Sequence, residues 1–441
     1  MAQTEERLLV QIGTYNTNLQ AGAGLPQDLV DWLSPTLHVS SFLSKNPRAP
    51  DIVAIGFQEL LPLHLGLAGL SDAVVKERDV HIRTQIEAHA PNHESYSLVA
   101  KAVNVGVALL VYTRDDTVAR RVCDVQTQWT GCGPAYMGNK GAVGVRFRVR
   151  DRGSKAGEVF TFVCAHLTAH EPYLVNRIAD YNHIVRTLLF APMSTSVDQR
   201  VATIYSTSHL FFFGDLNFRV SMPPRSLGNE RPLHEEALSM LNDEKSREAL
   251  KEFDQLRRAW RDGRVFVGLK EGPFWTFKCT YKYKLGEIDK YSSKRSPSWT
   301  DRILYATYTD SPASPEHSNI SNISYTSVPS YTTSDHKPVV SMLLLPPPVP
   351  ATSDESEFSE TQGRTPTLQL PSAYVPTPDP LATLKRYIGR MLDRIIGYIW
   401  ALLTLLGAGS AVVGIFNFFC GYAAWRWWWK TPTAVAPVAV G

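Results

Sequence analysis

Five apolar runs of the chain adjoin a side chain that can bind a hard cation or a phosphoryl group. LLVQIGTYNTN leads to Asn16, DIVAIGFQE to Glu59, FTFVCAHLTAH to His166 and His170, and HLFFFGDLNFR to Asp215 and Asn217. SDHKPVV carries Asp335 and His336 into the last run. Carboxylate and amide oxygens are hard ligands of the kind Mg²⁺ takes, one or two carboxylates at a time with water completing the shell. Histidine and aspartate can orient or deprotonate a water and stabilise a phosphoryl oxyanion. Each residue alone has a plainer reading. Asp215 in Gly-Asp-Leu-Asn could be a turn residue bonding its own backbone, Glu59 a helix cap, His166 a satisfied core histidine and Asn16 a turn former. Structural needs do not explain why all five places carry a metal- or phosphate-competent group.

These groups need rigid elements behind them. Leu8–Gly13, Ile52–Phe57, Val105–Tyr112, Ala142–Val149, Val159–Ala165, Leu210–Phe213 and Val339–Leu345 are short, β-branched or aromatic, and bounded by turn residues, so they read as strands. Helical stretches lie around Leu67–Ala90, Pro172–Phe190 and Glu235–Arg261. The mix predicts an α/β sandwich with sheets inside and helices outside. In open α/β sheets functional groups gather at strand ends, where the backbone is rigid and the loop is open.

The whole chain has 441 residues, 44% hydrophobic and 20% charged, which excludes a wholly disordered protein. Its net charge of +3 makes no global commitment to nucleic acid. The five cysteines are scattered without a CxxC, which argues against a disulfide framework or structural zinc and fits a reducing compartment. Met1–Gln11 carries two Glu and no long apolar stretch, which speaks against a secretory signal peptide. Residues 1–345 read as the folded body. Residues 346–380, rich in Pro, Ser and Thr, read as a disordered linker. Residues 381–394 form a basic amphipathic flank and a candidate for lying on anionic lipid, residues 395–425 an uncharged run long enough to span a bilayer, and residues 426–441 a short tail. Lys385, Arg386, Arg390 and Arg394 precede the run, so the positive-inside rule predicts a tail-anchored membrane protein with its body in the cytosol. The span's length and basic flank suit the endoplasmic reticulum best, with the mitochondrial outer membrane as the alternative.

The motifs around the chemical residues resemble one family. FFGDLNFR (212–219) and PSWTDRIL (297–304) match its two signatures, supported by GTYNTN (13–18), GFQEL (56–60), NKGAVGVRF (139–147), CAHLTAHE (164–171), TYKY (280–283) and SDHKPV (334–339). Over roughly residues 7–345 the chain is similar to the inositol polyphosphate 5-phosphatases of the endonuclease/exonuclease/phosphatase superfamily. The resemblance implies a four-layer sandwich of two mixed β-sheets flanked by helices, to which the C-terminal run would add a transmembrane helix. It implies Mg²⁺ with Glu59 as direct ligand, Asn16 in the same shell and Asp335 on the metal side. It further implies that Asp215 positions and activates the attacking water and that Asn217 orients water and phosphate. His336, held by Asp301, and His166 would contact the phosphate. Asn139 and Lys140 would face substrate phosphates, Tyr281, Lys282 and Arg295 would grip a neighbouring 4-phosphate, and Arg302 is carried over with the substrate-binding set. The reaction implied is in-line attack of water on the 5-phosphate, with no phosphoenzyme.

One feature of the residues themselves favours a multiply phosphorylated ring over nucleic acid. Between Lys278 and Arg295 six basic residues stand against two acidic ones, and this patch abuts PSWTDR. A solvated loop is the plainer alternative. Among departures from the family, Thr300 stands where many relatives have Cys, a small-for-small exchange expected to have little effect. Lys284 and Ser293 depart within the expected 4-phosphate grip. The partner expected is a phosphoinositide headgroup at a membrane, with no nucleic acid. The alternatives are a catalytically weak, membrane-tethered lipid-binding protein and a nuclease-like member of the same superfamily.

Overall fold

The computed structural model describes residues 7–19, 48–151, 157–193, 200–222, 233–348, 365–407 and 411–430. In chain order the elements are β1 (Leu9–Asn16), β2 (Ile52–Gln58), α1 (Leu63–Ala68), α2 (Ser71–His89), β3 (Tyr96–Asn104), β4 (Val107–Arg114), β5 (Val122–Gly131), β6 (Gly141–Arg150), β7 (Gly157–His166), α3 (Leu174–Thr187) and β8 (His209–Asp215). There follow α4 (Leu233–Met240), α5 (Glu244–Leu250), α6 (Gln255–Arg261), β9 (Lys270–Glu271), β10 (Asp301–Thr307), β11 (Ser321–Ser327), β12 (Val339–Leu344), α7 (Ala382–Leu405) and α8 (Ala411–Lys430).

The strands form two six-stranded sheets, ordered β11-β12-β1-β2-β4-β3 and β5-β6-β7-β8-β10-β9. Both are mixed: β1 runs parallel to β2 and β7 parallel to β8, and the other pairs are antiparallel. The central strands are buried along their whole length, and this is why IVAIGFQ and HLFFFGD read as near-continuous apolar runs. One face of each sheet packs on the other through Ile12, Ile52, Val145, Phe162 and Phe211, with the last two rings stacked at 4.7 Å. The sheets approach so closely at Gly56 that a Cβ there would lie 2.6 Å from Cys164 Sγ. Helix α2 covers the outer face of the first sheet with Val75, Ile82 and Ile86. Helix α3 covers the second with Ile178, Tyr181 and Ile184. Both stripes recur at helical spacing.

Register delivers the functional residues to one edge. Asn16 pairs with Gln58, which places Glu59 just beyond, and His166, Asp215 and Asp301 lie side by side across β7, β8 and β10. The chain enters β12 through Asp335 and His336 at the same edge.

Three expectations change. Glu235–Arg261 is a sequence of short helices, because Asp243 and Asp254 each accept the backbone N–H three residues on, at 2.9 Å, and so start α5 and α6 afresh. The expected linker lies outside the described residues at 349–364, but 365–380 is ordered against the body. There Leu368 N–H donates to Thr207 O at 2.9 Å, and Leu368, Leu370 and Tyr374 insert into the core beside α3. Three apolar anchors hold this segment without regular structure.

The expected transmembrane helix at 395–425 is the third correction. Among the described residues no helix is long and apolar enough to cross a membrane. The uncharged run is divided between α7 and α8 by a turn in which Gly407 has φ 95°. This leaves Ile395–Leu405 and Ala411–Trp425, each shorter than the ~20 residues a span needs. The basic flank 381–394 is the first part of α7, and it docks on the body.

Candidate active site

A single carboxylate oxygen is the focus of the shared edge. Asp215, almost fully buried at the end of β8, receives the Asn16 Nδ2 amide on Oδ2 at 3.0 Å. His166 Nε2 approaches the same oxygen at 3.3 Å and His336 Nε2 at 3.9 Å. Its Oδ1 accepts the backbone N–H of Asn217 at 3.1 Å. Burial alone would raise this carboxyl, but the His336 charge, the His166 hydrogen bond and Lys140 hold it well below the usual carboxylate range. Asn217 and Glu59 both adopt left-handed backbone, φ 56° and 49°. Such conformations are sparsely populated by non-glycine residues and cluster at functional sites.

Asp301 does different work. Its Oδ2 accepts from Thr280 Oγ1 at 2.7 Å and Thr300 Oγ1 at 2.8 Å, and lies 2.9 Å from His336 Nδ1. Burial pushes this carboxyl up, and His336 pulls it back. Burial would lower His336, but Asp301 and Asp215 more than offset that and raise it to about 10. The result is an imidazolium fixed by its Nδ1 hydrogen with Nε2–H aimed into the site. Asp215, Asp301 and His336 bring ligand atoms within 4.8 Å of one another. With Asp301 Oδ2 and His336 Nδ1 already committed, the trio reads as a hydrogen-bonded relay and not a cation shell. The Thr300 hydroxyl is part of the Asp301 clamp.

A divalent cation fits a neighbouring place. The Glu59 carboxylate is 31% exposed, its nearest described partner being His166 Nε2 at 3.8 Å, and it stands beside Asn16 and Asp215. An open carboxylate among hard oxygens is the donor chemistry Mg²⁺ or Ca²⁺ takes. Asp335, expected on the metal side, is instead ion-paired to Lys282.

The phosphate-facing candidates divide. Lys140 Nζ contacts His166 Nε2, and burial lowers its pKa. Asn139 Oδ1 packs against Gly133, buried without a hydrogen-bond partner. The Tyr281 ring lies 4.5 Å from the His336 ring, and Arg295 is exposed nearby, close enough to His170 to depress its pKa alongside burial. In the basic patch Lys278 pairs with Asp289 and Lys290 with Glu287, while Lys284, Lys294 and Arg295 form no ion pair with a described residue. Arg302 is a correction. Fully buried, it pairs with Asp254 at 3.1 Å and Glu271 at 2.5 Å and lies 3.7 Å from the Phe274 centroid, so it stabilises the fold away from substrate. Sequence reasoning missed Arg219, whose guanidinium bonds Asn217 Oδ1 and lies 4.3 Å from the Tyr281 ring. The only signal was its place at the end of FFGDLNFR.

Comparison with known proteins agrees with this geometry. Residues 13–342 match the family described as Endonuclease/Exonuclease/phosphatase family 2. Human synaptojanin-2 is 30% identical over 68% of this chain and 19% of its own length. The mouse type II inositol 1,4,5-trisphosphate 5-phosphatase is 30% identical over 75% of this chain and 29% of its own. The chain thus spans less than a third of these curated relatives. The crystal structure of the inositol polyphosphate 5-phosphatase domain of SPSynaptojanin, with inositol (1,4)-bisphosphate and calcium, superposes with a TM-score of 0.58 at 26% identity, covering 77% of this chain and 84% of that one. With two mixed sheets meeting at an edge built around Asp215, Asp301 and His336, the chain belongs to endonuclease/exonuclease/phosphatase family 2.

Proposed function

We propose that this chain is a phosphoric monoester hydrolase removing the 5-phosphate of an inositol phosphate that also carries a 4-phosphate. Phosphatidylinositol 4,5-bisphosphate is the first candidate, with the 3,4,5-trisphosphate and soluble inositol phosphates as further ones. The observation that carries the reading is the convergence of Asn16, His166 and His336 on one oxygen of Asp215, with cationic side chains around it. A solved relative supports the substrate class, since its ligand keeps a 4-phosphate and lacks the 5-phosphate.

In this reading Asp215 stays ionised and accepts a hydrogen bond from the attacking water. Phosphoryl transfer passes through a loose transition state that asks more for alignment than for early deprotonation, so a weakly basic, well-fixed carboxylate suits it. Asn217, held by Arg219, orients the water from the other side. His336 donates Nε2–H to a non-bridging oxygen while Asp301 keeps its ring in place. Lys140 and His166 carry charge-assisted contacts to the phosphate. Tyr281, Lys282 and Arg295 would grip a 4-phosphate, with Asp335 as the counter-ion of Lys282 in the free protein. Glu59, with Asn16 nearby, would hold Mg²⁺, which would supply Lewis-acid stabilisation of charge on the phosphoryl and leaving oxygens.

The test is phosphate release across phosphoinositide and inositol phosphate isomers, with and without Mg²⁺. Selective release from 4,5-substituted substrates supports the reading. Release from DNA or RNA alone rejects it in favour of a nuclease, and headgroup binding without turnover rejects it in favour of a tether.

A further inference from the structure

Helix α7 docks on the body by an inverted face. Its outward side is apolar, with Leu384, Tyr387, Met391 and Leu402 all more than half exposed. Its inward side is Gly389, Asp393 and Gly397, four residues apart and therefore stacked along one stripe. A Cβ at Gly389 would overlap the Tyr136 carbonyl, and one at Gly397 would overlap the backbone of Ala68. The helix thus lies backbone to backbone against α1 and the 134–138 loop. Hydrophobic burial does not account for such a seat.

Asp393 is the group that does not belong in a mere spacer. It is 1% exposed, and both its oxygens accept the buried Gly138 N–H, at 3.0 and 3.1 Å. Burial raises its pKa to about 6. A buried carboxylate is costly unless it is paired and hydrogen-bonded, and here the Gly138 N–H and the nearby charges of Arg390 and Arg394 offset that cost. The loop it reaches is otherwise closed on itself: Cys132 N–H donates to Lys140 O at 2.7 Å, Gly133 to Met137 at 2.9 Å and Tyr136 to Gly133 at 2.9 Å. Ala135 and Tyr136 hold left-handed backbone, φ 50° and 67°. Gly138 N–H is answered from outside, by α7. A second contact runs in parallel: Arg390, its guanidinium 3.9 Å from the Trp129 ring, donates to Asn104 Oδ1 at 3.2 Å, and Asn104 donates to Thr130 O at 3.3 Å beside the same loop. Directly after Gly138 come Asn139 and Lys140.

We propose that Asp393 is a positioning residue for substrate binding: from the C-terminal helix it fixes Gly138 and thereby sets Lys140 against the phosphate site. Helix α7 is on this account a working part of the catalytic body. The inference rests on the proposed role of Lys140, and its test has an arm that does not.

In the full-length chain, Asp393→Ala is expected to lower kcat/KM for soluble inositol 1,4,5-trisphosphate about tenfold, the loss of one buried hydrogen bond, and mainly through KM. Asp393→Asn keeps an acceptor and is expected to recover most of that loss. Placed on Lys140→Ala, the Asp393→Ala change is expected to add less than about twofold, because both act on the same contact. Independently of turnover, hydrogen exchange of Asp393→Ala is expected to deprotect 133–140 and leave β6 protected. Kinetic losses that add in full to Lys140→Ala, or an unchanged exchange rate at 133–140, overturn the proposal. If the wild-type chain releases no phosphate, the functional reading falls while the exchange arm still decides this one. Should Asp393→Ala fail to fold, Arg390→Ala takes its place under the same criteria.

Discussion

Asp215 and Asp301 face each other directly across the antiparallel β8–β10 pair, and His336 lies between them, with Nδ1 2.9 Å from Asp301 and Nε2 3.9 Å from Asp215. Two like charges in opposed positions would repel. A protonated imidazole between them removes the conflict and leaves the carboxylates with distinct tasks. Asp301, gripped by two threonines, orients the ring. Asp215, whose Oδ2 faces Asn16 and His166, meets the reacting water in the proposed mechanism.

This arrangement predicts the alkaline limit. The folded pKa of His336, about 10, lies above its ordinary 6.5. The stability it contributes is therefore fully present below pH 6.5 and is lost as pH rises toward 10. Activity that needs Nε2–H falls over the upper part of the same window. In Asp301→Asn the alkaline limb of the pH–rate profile should move toward neutrality, and the loss of stability on raising pH should begin earlier. A limb that stays in place would separate His336 from the rate.

Asp215→Asn keeps the size of the side chain and removes the charge that receives the water. We expect kcat to fall by about 10²–10⁴-fold with a smaller change in KM. Near-ultraviolet circular dichroism should show the fold retained. Turnover within about threefold of wild type would reject the role given to Asp215.

Arg302 separates fold from chemistry. Removing one partner of a buried ion pair strands the others, here Asp254 and Glu271, and costs about 3–5 kcal/mol. Arg302→Ala should therefore lower the urea midpoint sharply. A stable variant with only a raised KM would return this residue to the substrate site.

Glu59 and Asp335 are distinguished by cation titration. Glu59→Gln should raise the Mg²⁺ concentration for half-maximal rate by about tenfold or more, since it removes an open hard ligand. Asp335→Asn should leave that requirement nearly unchanged and alter KM for 4-phosphorylated substrates, because its carboxylate is engaged by Lys282. The opposite pattern would put Asp335 in the cation shell.

Much of the site was legible beforehand because strand ends are local features. An apolar run of fixed direction that stops at Asn16, Glu59, His166 or Asp215 leaves that side chain at a sheet edge whatever the sheet order, and the order of the motifs supplied the rest. Side-chain partnership was not local. Nothing near Arg302 in the chain announces Asp254 or Glu271. Nothing near Thr300 shows that its hydroxyl closes on the next residue's carboxylate, and nothing near Arg219 in the chain announces the Tyr281 ring it meets.

The C-terminus shows the same division most clearly. From the sequence alone came the α/β class, the strands that carry the chemical groups and the basic patch, all set by periodicity and by which residue types tolerate burial. Only the tertiary structure decided that 395–425 is broken between two helices, that 365–380 is bound to the body and that Asp393 reaches Gly138. Hydropathy sums the composition of a window. Which face of a helix meets which loop depends on glycines that admit a neighbouring backbone and on a donor 255 residues away that has no other acceptor among the described residues.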